Sequence, residues 1–160
     1  MKNYLLLLTV ALLAASIITG CESEKSARPS AGSQAGLVIT VDRTACKGRC
    51  PVYSLTIDGN GMVIYQGKDY VRTTGLQQAT IGQDKVLELA AEFDRVGYFS
   101  MNDAYTQVTI TDSPTVTTSI TRGGKTKTIV HYHGDLSAPE QLSALEDKID
   151  QTANSAQWIK

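Results

Sequence analysis

The stretch that most constrains the fold runs from Tyr53 to Tyr65, where two alternating segments face each other across a turn built from residues that tolerate positive φ. Tyr53, Leu55 and Ile57 alternate with Ser54, Thr56 and Asp58, which is the two-residue period of a half-buried strand. Asp58-Gly59-Asn60-Gly61 can reverse the chain, and Met62-Val63-Ile64-Tyr65 returns, so a β-hairpin is expected here. A lone hairpin is marginal in water, so further strands and a layer to cover the apolar face are also expected.

The rest of the chain offers both. Leu37, Ile39 and Val41 alternate with Val38, Thr40 and Asp42 and predict a first strand. Tyr70-Val71-Arg72, after Gly67-Lys68-Asp69, predicts a fourth. Between Gln83 and Val96 the period lengthens. Val86, Leu89, Ala90, Phe93 and Val96 share one helical face, and Gly97 is placed to end the helix. Thr115–Thr121 and Lys127–His133 flank Arg122-Gly123-Gly124-Lys125 and predict a second hairpin. Ser137-Ala138-Pro139-Glu140 has capping-box spacing, and Leu142, Leu145 and Ile149 form an apolar stripe on a helix ending near Ala153. The expected class is α+β: four strands, a helix, a two-strand hairpin and a helix, making an antiparallel sheet of about six strands with two helices on one face. No period of a solenoid repeat recurs.

The start of the chain addresses location rather than fold. Lys2 precedes an apolar run from Leu5 to Ile18 that is short for a spanning helix but suits the hydrophobic region of a secretory signal. Thr19-Gly20-Cys21 resembles a lipobox, which implies cleavage after Gly20, diacylation of the Cys21 sulfur and a third acyl chain on its amine. Two or three chains anchor a protein stably, so the bilayer is an expected partner through Cys21. Glu22, where inner-membrane lipoproteins often carry Asp, points towards the outer membrane facing the periplasm. Residues 22–36 mix Ser, Gly, Pro and charge and contain no apolar residue larger than alanine. They read as a tether with a reach of about 20 Å. The expected organisation is thus a signal at 1–20, a lipidated Cys21 with tether to 36, and one domain over 37–160. A net charge of −1 gives no footprint for nucleic acid.

Ala45-Cys46-Lys47-Gly48-Arg49-Cys50-Pro51-Val52-Tyr53 is the most distinctive internal segment. Two thiols so close in an exported protein default to a disulfide that pins the turn between the first two strands. A redox centre is the alternative. The usual oxidoreductase pair, however, has two intervening residues and sits at a helix N-terminus, whereas this pair has three and precedes a predicted strand.

With these residues the chain resembles domain-of-unknown-function family 6438, small bacterial domains often found in lipoproteins. The resemblance is carried by the cysteine turn, by Asp58-Gly59-Asn60-Gly61 with Tyr65, and by Asp112-Ser113-Pro114-Thr115 before a Thr-rich strand. The closing helix and Trp158-Ile159 fit as well. Gly82 stands where relatives tend to carry Ser, so the cap of the first helix is weak or comes from Thr80. The resemblance implies the fold and no reaction, cofactor or catalytic residue.

Other candidates carry bland readings beside the sharp ones. His131-Tyr132-His133 offers two imidazoles on one face of a strand to zinc or copper, but two ligands are too few, and solvent-facing histidines are expected. Asp112 could serve as a ligand contact or a general base, but no His or nucleophile lies near it in the sequence, and a structural turn role is expected. Tyr53, Tyr65, Tyr70 and Tyr132 are expected to be exposed and to offer a partner-binding sheet face, although some of them must belong to the core. The glycines lie in hairpins without a following helix, so no phosphate cradle is expected. Together these point to a noncatalytic envelope module that requires no cofactor and binds another envelope protein, peptidoglycan or a small ligand. A thiol-disulfide protein using Cys46 and Cys50, or metal capture through His131 and His133, are the alternatives.

Overall fold

The computed structural model describes residues 36–160. The expected signal at 1–20, the lipidation site Cys21 and residues 22–35 of the tether lie outside them. Nine elements form the frame of the domain: β1 (Val38–Arg43), β2 (Val52–Asp58), β3 (Met62–Asp69), β4 (Gly75–Thr80), α1 (Gln83–Arg95), β5 (Ala104–Tyr105), β6 (Thr115–Arg122), β7 (Lys125–Tyr132) and α2 (Glu140–Ala153). A single turn of helix, α3 (Ala156–Ile159), follows. The strands make one seven-stranded sheet in the order β4-β3-β2-β1-β6-β7-β5. Every pair is antiparallel except β5 on β7. The fold is therefore α+β, a mostly antiparallel sheet carrying two main helices.

Alternation decides which face the helices cover. Ile39, Val41, Leu55, Ile57, Val63, Val116, Ile120 and Ile129 are buried, and their strand neighbours are only partly so. Val86, Leu89, Ala90 and Phe93 of α1 and Leu142, Leu145 and Ile149 of α2 close the same core. Each fully buried Leu, Ile or Val contributes about 1.5–3 kcal/mol. On the open face, Thr40 and Ser119 share a 2.6 Å hydrogen bond between β1 and β6. Among the described residues no helix is long and apolar enough to cross a membrane.

The first hairpin forms as expected. The Asp58 carboxylate accepts from the backbone N–H groups of Asn60 and Met62, each at 2.9 Å, which holds the reversal closed. Gly61 adopts φ +90°, and a Cβ there would run into the Ile81 carbonyl, so both the conformation and the space call for glycine.

Four expectations change. Tyr70–Arg72 is not a strand: β3 continues to Asp69, Tyr70 turns left-handed at φ 51°, and the Arg72 and Thr73 N–H groups donate to carbonyls of Ile159 and Trp158. The fourth strand is instead Gly75–Thr80, whose Gln-rich sequence carries little apolar alternation. A seventh strand, β5, is only two residues long and runs parallel to β7, too short to leave a periodic trace. α1 starts at Gly82 with no side-chain cap, the weak start expected there rather than a cap from Thr80, whereas α2 starts at Pro139 without the expected capping box. Ser137 turns back and donates to Asp135 instead of forming a capping box. Gly97 ends α1 as expected, at φ 72°.

Candidate functional site

The apolar stripe of α2 is interrupted by acids. Leu142, Leu145, Ile149 and Ala153 point into the core, and Glu146, four residues after Leu142, is carried in with them. Asp150 follows one turn later on an adjoining line of the helix. Each carboxylate is spanned by groups from the sheet, and the two clusters are the candidate sites.

At Asp150 the groups converge from three elements. Arg43, the last residue of β1, reaches Oδ2 with Nε at 3.1 Å and Nη2 at 2.8 Å. The Tyr53 hydroxyl from β2 lies 2.7 and 2.8 Å from the two oxygens. Ser155 donates to Oδ1 at 2.7 Å. Asn154, left-handed at φ 52°, swings the chain from α2 into α3 and so brings Ser155 back under the helix end. Trp158 of α3 then stacks on Tyr65 with ring centroids 4.9 Å apart, and Tyr65 leans on Tyr53 at 5.5 Å. Burial and the neighbouring Asp150 charge push the Tyr53 phenol far above its ordinary pKa, although Arg43 opposes them. Burial alone would lower the Arg43 pKa, but Tyr53 and Asp150 more than offset it. Above this network lies a cleft of about 630 Å³, lined among others by Arg43, Pro51, Tyr53, Asp150, Ser155 and Ile159.

At Glu146 both carboxylate oxygens meet a histidine. His131 Nδ1 of β7 is 2.8 Å from Oε1, and His133 Nε2, just past the strand, is 2.7 Å from Oε2. A carboxylate can only accept, so both ring nitrogens are donors here. The side chains of His131 and Glu146 are 4% and 1% exposed, whereas His133 is 30% exposed and forms the outer edge of the cluster. Burial pushes the Glu146 pKa up, but the hydrogen bonds and charge of the two imidazoles outweigh it and hold the carboxyl below its ordinary value. The expectation of solvent-facing histidines is thereby corrected. His131 shares the inward parity of Ile129, and the sequence places its acidic partner fifteen residues away on another element.

The tyrosine surface is corrected too. Tyr53 and Tyr65 are buried on the helix-covered face and contribute to the core under the cleft. Tyr70 is exposed in its loop, and the Tyr132 hydroxyl is occupied by the Ile110 carbonyl and the Ser113 N–H. Asp112 sits left-handed at φ 66° in the loop before β6, half-exposed, with its carbonyl accepting from Lys47 N–H and its carboxylate 3.6 Å from Lys47 Nζ. It latches that loop to the cysteine turn. Arg43, Glu146, Asp150 and Ser155 were absent from the sequence candidates. For Glu146 a signal existed, since an acid in the apolar stripe of a helix is either wrong or partnered.

Cys46 and Cys50 are bonded in the exposed turn between β1 and β2. The segment that follows is a strand, so neither sulfur has a helix N-terminus to stabilise a thiolate. Replacing both cysteines by alanine is expected to cost about 2 kcal/mol, the chain-entropy value for so small a loop. Equilibrium unfolding in urea, with the parent run oxidised and reduced, measures it. The same turn lies within a family match that covers residues 37–153, the profile of a domain of unknown function, DUF6438.

The chain belongs to the DUF6438 family. The matched span runs from just before β1 to the last residue of α2, so both DUF6438 clusters draw their sheet residues and carboxylates from inside it. Ser155 and the α3 turn of this DUF6438 chain fall just beyond it. No curated protein matches the sequence significantly.

Proposed function

We propose that this DUF6438 chain is a lipid-anchored module of the bacterial envelope, moored through Cys21, that binds a partner in the cleft over Asp150 without chemical turnover. The observation that carries the binding reading is the prebuilt Arg43–Asp150–Tyr53–Ser155 network beneath an open cleft. Asp150 already accepts from three side chains, and the raised phenol of Tyr53 stays protonated. Neither is poised to take a proton from a substrate, whereas both are rigid enough to position one. The mixed polar and apolar walls suit a segment of another envelope protein or a strand of peptidoglycan. The thiol-disulfide alternative has less support, because the bonded pair lies in a strand-flanking turn.

One experiment addresses anchor and partner together. A photoreactive residue replacing Gln151 at the cleft is irradiated in intact cells, in the parent and in a Cys21→Ser background. The expected result is one dominant crosslinked species in the parent, with the Cys21→Ser protein shifted from the membrane to the soluble fraction. Cleft crosslinks no different from those at a surface position on the opposite sheet face would reject the binding reading. A Cys21→Ser protein retained as firmly as the parent would reject the anchor.

A further inference from the structure

The two imidazoles each offer Glu146 one N–H, on a buried helix face whose other members include Leu142, Leu145 and Ile149. Arg43, whose guanidinium feels the Glu146 carboxylate, is itself committed to Asp150. The donor atoms of His131, His133 and Glu146 all lie within 4.8 Å of one another, and they come from a strand end and a helix that the core holds in fixed relation. A tetrahedral metal with bonds of about 2.0–2.1 Å holds its ligand atoms about 3.3 Å apart, so small rotations of these side chains bring all three into range.

We propose that His131 Nδ1, His133 Nε2 and one oxygen of Glu146 form a three-ligand site for a borderline transition-metal dication of the zinc(II) type. Two imidazole nitrogens select such ions over calcium or magnesium, which prefer oxygen alone. Two buried ligands and a partly exposed His133 leave the fourth position facing solvent, where water completes the shell. Entry of the ion turns each ring from donor to ligand. With both rings neutral, the proton on Nδ1 of His131 moves to Nε2, and that on Nε2 of His133 moves to Nδ1; no proton is lost and no electron moves. Cys46 and Cys50, being bonded to each other, contribute no thiolate.

The test uses the full-length protein in detergent, stripped with a chelator and titrated with cobalt(II) and then zinc(II). The expected result is one cobalt per chain with visible absorption bands of a low-coordinate site, bleached by one equivalent of zinc. His133→Ala and Glu146→Gln should each weaken binding by about 100-fold or more, beyond what loss of an outer-shell partner costs. Zinc should also raise the unfolding temperature of the parent and leave that of His133→Ala unchanged. If Glu146→Gln does not fold, His133→Ala decides alone, since its side chain lies at the rim. No stoichiometric uptake at micromolar protein, or uptake unchanged in these variants, would overturn the site.

Discussion

Alanine in place of Glu146 is expected to lower folding stability by about 3–5 kcal/mol, the range for removing one partner from a buried charged cluster. The loss combines two hydrogen bonds with the desolvation of a buried imidazole at His131, whose Nδ1–H then loses its recorded partner. Glu146→Gln separates the two contributions. Its amide keeps an oxygen for one ring and can donate to the bare nitrogen of the other after a tautomer change, so a loss of about 1–2 kcal/mol is expected. Urea unfolding with chelator present reads the hydrogen-bond contribution free of any metal, and an unchanged m-value assigns the shift to stability. If Glu146→Ala unfolded at the parent's midpoint, the carboxylate would not be acting as a buried tie between β7 and α2.

Asp150→Ala is expected to be the other large effect, about 3 kcal/mol. It strands the Arg43 guanidinium, the Tyr53 hydroxyl and the Ser155 hydroxyl together, and breaking such a buried pair costs about 3–5 kcal/mol. The lower end applies because Asp147, 3.8 Å from Arg43, remains as a weaker partner. A local readout is available in Trp158, the chain's one tryptophan. Ser155 ties the start of α3 to Asp150, so its release should loosen the stack of Trp158 on Tyr65. A red-shifted emission at urea concentrations below the global transition is the expected signature. Because Glu146 and Asp150 lie one turn apart and Arg43 feels both, the double variant should lose less than the sum of the two singles.

Much of the architecture was legible because its signals are local. The β2–β3 and β6–β7 hairpins carry alternation and turn residues within a few positions, and α1 and α2 carry stripes of helical period. β4 was not legible. Its register is set by pairing with β3 rather than by apolar residues of its own, while Tyr70, a good strand former, turns left-handed and the N–H groups of Arg72 and Thr73 go to α3 instead of a ladder. The sites were harder for the same reason. Arg43 and Asp150 stand 107 residues apart, and nothing in either one's neighbours announces the other. His131 was readable from its parity with Ile129, but Val130 on the opposite face obscures which side is inward. The disulfide was readable because chemistry and spacing suffice, and its assignment as a turn clip needed only the strand that follows.

The position of β1 sets the order of assembly. It is the first strand among the described residues yet lies mid-sheet, sealed on one side by β2 and on the other by β6, whose Ser119 meets Thr40 across 79 residues. During synthesis, therefore, the leading half can zip into a four-strand meander while one flank of its innermost strand stays open until the trailing hairpin arrives. A chain halted before residue 115 presents that raw flank to its neighbours, and sticky, self-pairing fragments are the expected product of truncation.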